Sequence, residues 1–118
     1  MTAYRPIRLK EPKKKYHSNF TEVDGIKFRS KLEAKRYGEL KMLERAGKID
    51  MLVLQPRYPM QINGVKIVTY VADFSYVDLE NNRLITEDTK GCVTDLYRVK
   101  RQLFRALYPH LKLVEVTT

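Results

Sequence analysis

The residues whose types and spacing could support catalysis are acids and a lysine in two neighbouring segments of the chain. Asp73 lies within VADFSYVD, among apolar and aromatic residues, and Asp88 and Lys90 lie at the end of RLITEDTKG. A carboxylate in apolar surroundings carries a desolvation cost of several kcal/mol unless it is paired or bound to a metal. Asp73 therefore needs a partner.

Side chains alternate along a strand, so Asp88 and Lys90 project to one face while Glu87 and Thr89 project to the other. If the two segments form adjacent strands, Asp73 and Asp88 meet on one face, and carboxylates this close favour a bound cation such as Mg²⁺. Lys90 would then orient a metal-polarised water and neutralise a scissile phosphate. This set predicts phosphodiester hydrolysis. The alternative is a solvated Asp88–Lys90 pair at a strand end, with a salt bridge that satisfies Asp73.

Sequence patterns in the first half of the chain predict a hairpin, a helix and further strands, which together help to position these residues. Phe20–Phe28 reads as a β-hairpin around Asp24-Gly25, and a helix begins at Ser30 and ends near Gly47. From Ile49 to Asp78 the pattern changes to strands, with a second hairpin signal at Asn63-Gly64.

The second half predicts a strand, a helix and a final strand. The helix begins at Asp95 and ends before Pro109, with its apolar face formed by Leu96, Val99, Leu103 and Leu107. The order of hairpin, helix, three or four strands, helix and strand indicates an α/β (α+β) fold around a mixed sheet flanked by helices. We expect residues 20–118 to form a single domain.

Composition favours a polyanionic partner. The chain of 118 residues carries a net charge of +9 with a pI near 9.7, and residues 1–19 contain six basic residues against one acid. We interpret residues 1–19 as a flexible basic arm in which Lys13, Lys14 and Lys15 bind phosphates, or else as a solubilising terminus. Nucleic acid is favoured over an anionic membrane, because no basic amphipathic stretch carries an exposed apolar face.

The chain shows neither a membrane-spanning run nor a signal peptide, and its single cysteine indicates a reducing cytoplasm. We therefore expect a cytoplasmic protein.

Asp73, the fourteen intervening residues, and Asp88-Thr89-Lys90-Gly91 resemble the PD-(D/E)XK nuclease superfamily. The resemblance extends over about three-quarters of the chain and implies a restriction-endonuclease-like αβββαβ core. More narrowly, TEVDGIKFRSKLEAKRYGELKMLERAGKI, LVLQP and EDTKG resemble small phage-encoded proteins assigned to that superfamily. A phage-encoded protein would act in the cytoplasm of its bacterial host.

The resemblance implies a role for each matching residue. Asp73 and Asp88 would hold Mg²⁺ or Mn²⁺, Lys90 would be the lysine of the motif, and Glu33 would be the acid that completes the site from the first helix. Ala72 stands where the motif's name has proline. Glu87 leaves the register of the second acid open, since a β-bulge would exchange it with Asp88. Glu33 is also placed to complete a capping box with Ser30.

Further candidates surround this set. Gln55 and Lys100 could assist the site, or could serve only local hydrogen bonding and solvation. Arg98, Arg101 and Arg105 form a stripe on the second helix that could follow a phosphate backbone or simply face solvent.

The sequence thus predicts a Mg²⁺-dependent DNA endonuclease, structure-selective on branched DNA in the manner of a Holliday-junction resolvase, and symmetric incision would require a homodimer. Two alternatives remain open: a nicking or repair subunit of a larger phage DNA-processing complex, and a non-catalytic nucleic-acid-binding protein.

Overall fold

A computed structural model describes residues 20–90 and 92–117. The basic arm, with Lys13, Lys14 and Lys15, lies outside the described residues. The elements run in the order β1 (Thr21–Val23), β2 (Ile26–Phe28), α1 (Lys31–Arg45), β3 (Ile49–Leu54), β4 (Arg57–Ile62), β5 (Val65–Val71), β6 (Phe74–Asp78), β7 (Arg83–Thr89), α2 (Asp95–Leu107) and β8 (Lys112–Val116).

The central sheet has four strands in the order β3-β6-β7-β8. The pairs β3–β6 and β6–β7 are antiparallel, and β7–β8 is parallel because α2 provides the crossover between them. Two separate hairpins, β1–β2 and β4–β5, accompany the sheet. The mixed α+β fold is confirmed, and its order of α1, β3, β6, β7, α2 and β8 follows the αβββαβ pattern with one hairpin inserted.

Alternation along β7 separates two hydrophobic cores. On one face, Ile85 packs with Phe74 and Tyr76 against Tyr37 and Leu40 of α1. The other core lies beneath α2 and the β4–β5 hairpin, and its buried members are Met60, Tyr70, Ala72, Tyr97, Phe104 and Leu113. The end of β7 therefore lies between α1 and the hairpin with α2, and each acid near that end faces one of the two cores.

The segment from Val65 to Asp78 is two strands rather than a continuous one. Within the part of the chain that the structure describes, β5 pairs only with β4, whereas β6 joins the central sheet, and the chain changes sheets at Ala72 and Asp73. The same change occurs between β3 and β4 at Gln55 and Pro56. Backbone hydrogen bonds join the two breaks, from Gln55 N–H to the Asp73 carbonyl at 2.9 Å and from Ala72 N–H to the Pro56 carbonyl at 3.1 Å.

The predicted apolar face of α2 is wrong except at Leu103, which packs against the core beneath the helix. Leu96 and Val99 are 52% and 54% exposed, whereas Tyr97 and Phe104 are buried. The helix turns its aromatic stripe inward because Phe104 packs edge-on against Tyr58 of the hairpin, with the ring centroids 4.9 Å apart. Aromatic side chains bury more area than leucine and pair favourably edge to face, so the aromatic face of α2 is the one that is buried.

Among the described helices, none is long and apolar enough to cross a membrane.

Candidate active site

Asp73 occupies the break between β5 and β6, and its carboxylate is fixed by Thr89 at the end of β7. Oδ2 of Asp73 accepts hydrogen bonds from the Thr89 N–H at 2.7 Å and from the Thr89 hydroxyl at 2.6 Å. The Asp73 N–H donates to the carbonyl of Glu87 at 3.1 Å. The strand break thus brings the first acid alongside the second acidic segment, as the adjacent-strand hypothesis predicts.

Asp88 lies on the face of β7 that packs against the hairpin. Its Oδ2 accepts a hydrogen bond from the Tyr70 hydroxyl at 2.5 Å, and its Oδ1 lies 3.4 Å from the Lys90 ammonium. That ammonium also stands over the ring of Tyr97, 4.3 Å from its centroid. Lys90 is therefore held by a carboxylate on one side and an aromatic face on the other, with about a quarter of its side chain exposed.

Glu33 approaches Asp73 from the first turn of α1. It lines a cavity of about 220 Å³ together with Asp73, Gln55, Arg29 and Arg57. The hydroxyl of Ser30 accepts from the Glu33 N–H at 3.0 Å, so the helix is capped by Ser30. The cap uses the backbone of Glu33, and the carboxylate of this residue faces the cavity.

Asp73 lies close enough to both Glu33 and Asp88 to affect the pKa of each. Burial, with the nearby Asp73 carboxylate as the second cause, raises the pKa of Glu33 to about 7. Burial also raises the pKa of Asp88 to about 7, helped by Asp73 and opposed by the Tyr70 hydrogen bond and the Lys90 charge. At neutral pH these acids therefore favour either protonation or a bound cation.

Glu87, the alternative second acid, faces the opposite side. It is fully buried, accepts two hydrogen bonds from the Arg36 guanidinium and accepts a third from the Tyr76 hydroxyl at 2.6 Å. This pairing raises the pKa of Arg36. Glu87 is a structural link between β7 and α1, and β7 has no irregularity at this point in its pairing with β6 or β8. Alternation therefore leaves Asp88 as the acid beside Lys90.

The residues present are compatible with a hard divalent cation. Within residues 20–90 and 92–117, no three His, Cys, Asp or Glu side chains come together as a preformed metal-binding group. Mg²⁺ does not need such a group, because it is usually held by one or two carboxylates together with waters and substrate phosphates. Asp73 and Asp88, with Glu33 in the cavity beside Asp73, would supply this kind of donor set.

A family model described as protein of unknown function (DUF1064) matches residues 13–118. The chain belongs to this family. No curated protein and no solved structure gives a significant match to it.

In this DUF1064 protein, the auxiliary candidates divide into two groups. Gln55 lines the acid cavity and has a left-handed backbone, with φ of +50°. Lys100 lines a neighbouring cleft of about 190 Å³ with Lys90 and Thr94, and Val71 lines both cavities. Gln55 therefore lies near Glu33 and Asp73, and Lys100 lies near Lys90.

The arginine stripe of α2 is largely engaged in ion pairs. Arg101 contacts Glu115 of β8 at 2.8 Å, Arg105 lies 3.8 Å from the same carboxylate, and Arg98 lies 3.4 Å from Asp95. Arg98 and Arg105 remain more than half exposed and accessible to phosphates, whereas Arg101 is mostly buried.

Four site residues of this DUF1064 protein were not identified from sequence. Arg29 and Arg57 place positive charge at the acid cavity, and Thr89 and Tyr70 hold the two aspartates. Thr89 was identifiable in principle, since it directly follows Asp88. Tyr70 lies eighteen residues from Asp88 and meets it only because the hairpin folds over β7.

Proposed function

We propose that this protein is a Mg²⁺-dependent endodeoxyribonuclease of the PD-(D/E)XK type. The observation that carries the proposal is the meeting of Asp73 and Asp88 at the end of β7, with the Lys90 ammonium 3.4 Å from Asp88. A protein gains no stability from gathering carboxylates whose pKa is raised by burial and by one another, and such groups are typical of functional sites.

Each residue of the set has a definite task in this proposal. Asp73, fixed by Thr89, and Asp88, fixed by Tyr70, would be the residues that hold the ion. Bound Mg²⁺ would supply a nucleophilic water at neutral pH and polarise the phosphoryl group. Lys90 orients the attacking water and balances negative charge that develops on the phosphate. Glu33 completes the site from α1 as a further ligand or as a hydrogen-bond acceptor for water.

Positive charge near the acids favours a nucleic-acid substrate. Arg29 and Arg57 border the carboxylate cavity, and Lys100 borders the cleft beside Lys90. The whole chain carries +9, which favours a polyanion over a small uncharged substrate. The basic arm and the exposed arginines of α2 would add contacts to the phosphate backbone.

Within residues 20–90 and 92–117, the helices and strands all belong to the fold that forms the site and leave no separate domain to read bases, so we propose selection of branched DNA by its shape. Paired incision of a four-way junction would require a homodimer, with one site for each strand. The resemblance to phage-encoded proteins supports action in the cytoplasm of a bacterial host.

The test is cleavage of end-labelled four-way junction, fork, duplex and single-stranded DNA in the presence of Mg²⁺ or EDTA. Wild-type protein should cut the branched substrates only with Mg²⁺, and Asp73→Ala and Lys90→Ala proteins should not cut. Equal cutting of every substrate would retain the nuclease and contradict the preference for branches. Preference for linear DNA would support a nicking or repair subunit instead.

A second candidate is a nucleic-acid-binding protein that does not cleave. Its support is the net charge of +9 together with the exposed Arg98 and Arg105, which would attract phosphates whether or not the acids hold a metal. Binding without cutting, unchanged by Asp73→Ala, would favour this candidate.

A further inference from the structure

The β4–β5 hairpin is anchored at one end and free at the other. Near its base, Met60 and Tyr70 are buried beneath α2. Its outer part, residues 61–65 together with Ile67 (the hairpin tip), is exposed on both faces.

The hairpin tip has an unusual composition for an exposed β-ribbon. Ile62, Val65 and Ile67 are 44%, 60% and 48% exposed. Ile62 and Val65 are cross-strand partners that flank the Asn63-Gly64 turn. The register shift between Met60 and Gln61 leaves Ile67, two residues from Val65 on β5, without a Cα partner on β4. Three large apolar side chains gathered on a short projection indicate a contact surface rather than part of the core.

Charge and position indicate what this surface contacts. From Arg57 to Val71 the hairpin contains two basic residues and no acid, so its field favours a polyanion. Its base forms part of the carboxylate cavity through Arg57 and Val71. At about 3.3 Å per residue, the tip lies roughly 20 Å along β5 from that cavity, a distance of about six base pairs of DNA.

We propose that the hairpin tip is a DNA-contacting wedge that packs Ile62, Val65 and Ile67 against bases unstacked at a branch point. Apolar side chains insert between bases where stacking is interrupted, and they gain little from an intact duplex, whose base faces are already covered. The tip would therefore select branched over linear DNA. This role deepens the proposed function and rests on it.

The test compares the double variant Ile62→Thr/Val65→Thr with wild type. Threonine is β-branched and close to valine in shape, so the ribbon is retained while its apolar surface is reduced. The matched control is Met42→Gln, which removes an exposed apolar side chain from α1. Binding to a DNA fork and to the corresponding duplex is measured by fluorescence anisotropy in EDTA, with 2-aminopurine at the branch as a reporter of unstacking.

The wild type should prefer the fork and increase the 2-aminopurine fluorescence. The double variant should bind the fork about tenfold more weakly and the duplex almost unchanged, because each buried methyl or methylene group that is removed costs on the order of a few-fold in affinity. The salt dependence of binding should not change, since no phosphate contact is removed. Met42→Gln should behave as wild type.

Several results would overturn the wedge: an unchanged fork preference in the double variant, equal losses on fork and duplex, or no preference in wild type. A change in the molar mass of the double variant by light scattering would assign the tip to contacts between protein copies instead. Because binding is measured without metal, the two proposals fail separately. If the double variant loses fork binding but the wild type never cuts DNA, the wedge stands and the nuclease proposal fails. If the wild type cuts DNA and the double variant binds the fork normally, the nuclease stands and the wedge fails.

Discussion

Replacing Asp88 by asparagine is expected to stabilise the protein while it abolishes cleavage. Burial and the neighbouring Asp73 raise the pKa of Asp88 to about 7, so above this pH the folded protein holds a carboxylate that its surroundings disfavour. Asparagine has nearly the same shape, carries no charge, and keeps an oxygen that can accept the hydrogen bond from Tyr70.

The size of the effect follows from the displacement of this pKa. A rise from 3.8 to about 7 sets an upper limit of roughly 4 kcal/mol, at about 1.4 kcal/mol per pKa unit. Solvent screening and the imperfect hydrogen bonding of an amide reduce the expected gain to about 1–2 kcal/mol. For a chain of this length, this gain corresponds to a rise in Tm of roughly 5–10 °C.

The sign of the pH dependence is fixed by the direction of the shift. Below about pH 4, Asp88 is neutral in both folded and unfolded chains, and the variant gains nothing. Between about pH 4 and pH 7, the folded wild type retains a proton that the unfolded chain has lost, so its free energy of unfolding falls as the pH rises. The advantage of asparagine grows across this interval and is complete above it.

The assay is urea unfolding followed by circular dichroism in EDTA, at about pH 4 and about pH 8. Glu87→Gln is the matched control, because Glu87 is the adjacent buried acid but is paired with Arg36. The control should be destabilised at the higher pH, whereas Asp88→Asn should be stabilised. Equal destabilisation of both variants would show that Asp88 is as firmly paired as Glu87, and it would refute the reasoning.

Three further outcomes are expected. Arg36→Ala should lower the free energy of unfolding by about 3–5 kcal/mol in urea titrations, because the fully buried Glu87 loses its counter-charge; a loss below about 1 kcal/mol would contradict this pairing. Lys90→Met should reduce the single-turnover cleavage rate by about a hundredfold or more while DNA affinity changes only a few-fold, and a proportional loss of both would make Lys90 a binding residue only. Tyr70→Phe should raise the pKa of Asp88 further by removing the hydrogen bond that opposes the shift, so the pH at which cleavage reaches half its maximum should rise; a pH profile identical to that of wild type would contradict this role of Tyr70.

Local sequence patterns predicted most of the helices and strands, and they also predicted which face of β7 each of the two adjacent acids occupies. The Asp24-Gly25 and Asn63-Gly64 turns both have positive φ at each residue, as two-residue hairpin turns require. The alternation that assigned Asp88 and Glu87 to opposite faces holds, since Asp88 meets Tyr70 and Glu87 meets Arg36. A period of two residues decides the faces of a regular strand without knowledge of the rest of the fold.

Long-range contacts could not be derived in this way. Arg36 is separated from Glu87 by 51 positions, and nothing near either residue indicates the other. The apolar face of α2 was misassigned because the helix carries two stripes at helical spacing, one aliphatic and one aromatic. Only the position of the hairpin, whose Tyr58 packs against Phe104, decides which stripe is buried.

The most direct test of the central claim is single-turnover cleavage of a four-way junction by Asp88→Asn beside wild type and Glu80→Gln. Glu80 is an exposed acid that pairs with Lys48 on the protein surface, so its substitution controls for a general loss of negative charge. The account predicts Mg²⁺-dependent cutting by wild type and Glu80→Gln, and none by a fully folded Asp88→Asn protein. Undiminished cutting by Asp88→Asn, or no cutting by wild type with any divalent cation, would contradict it.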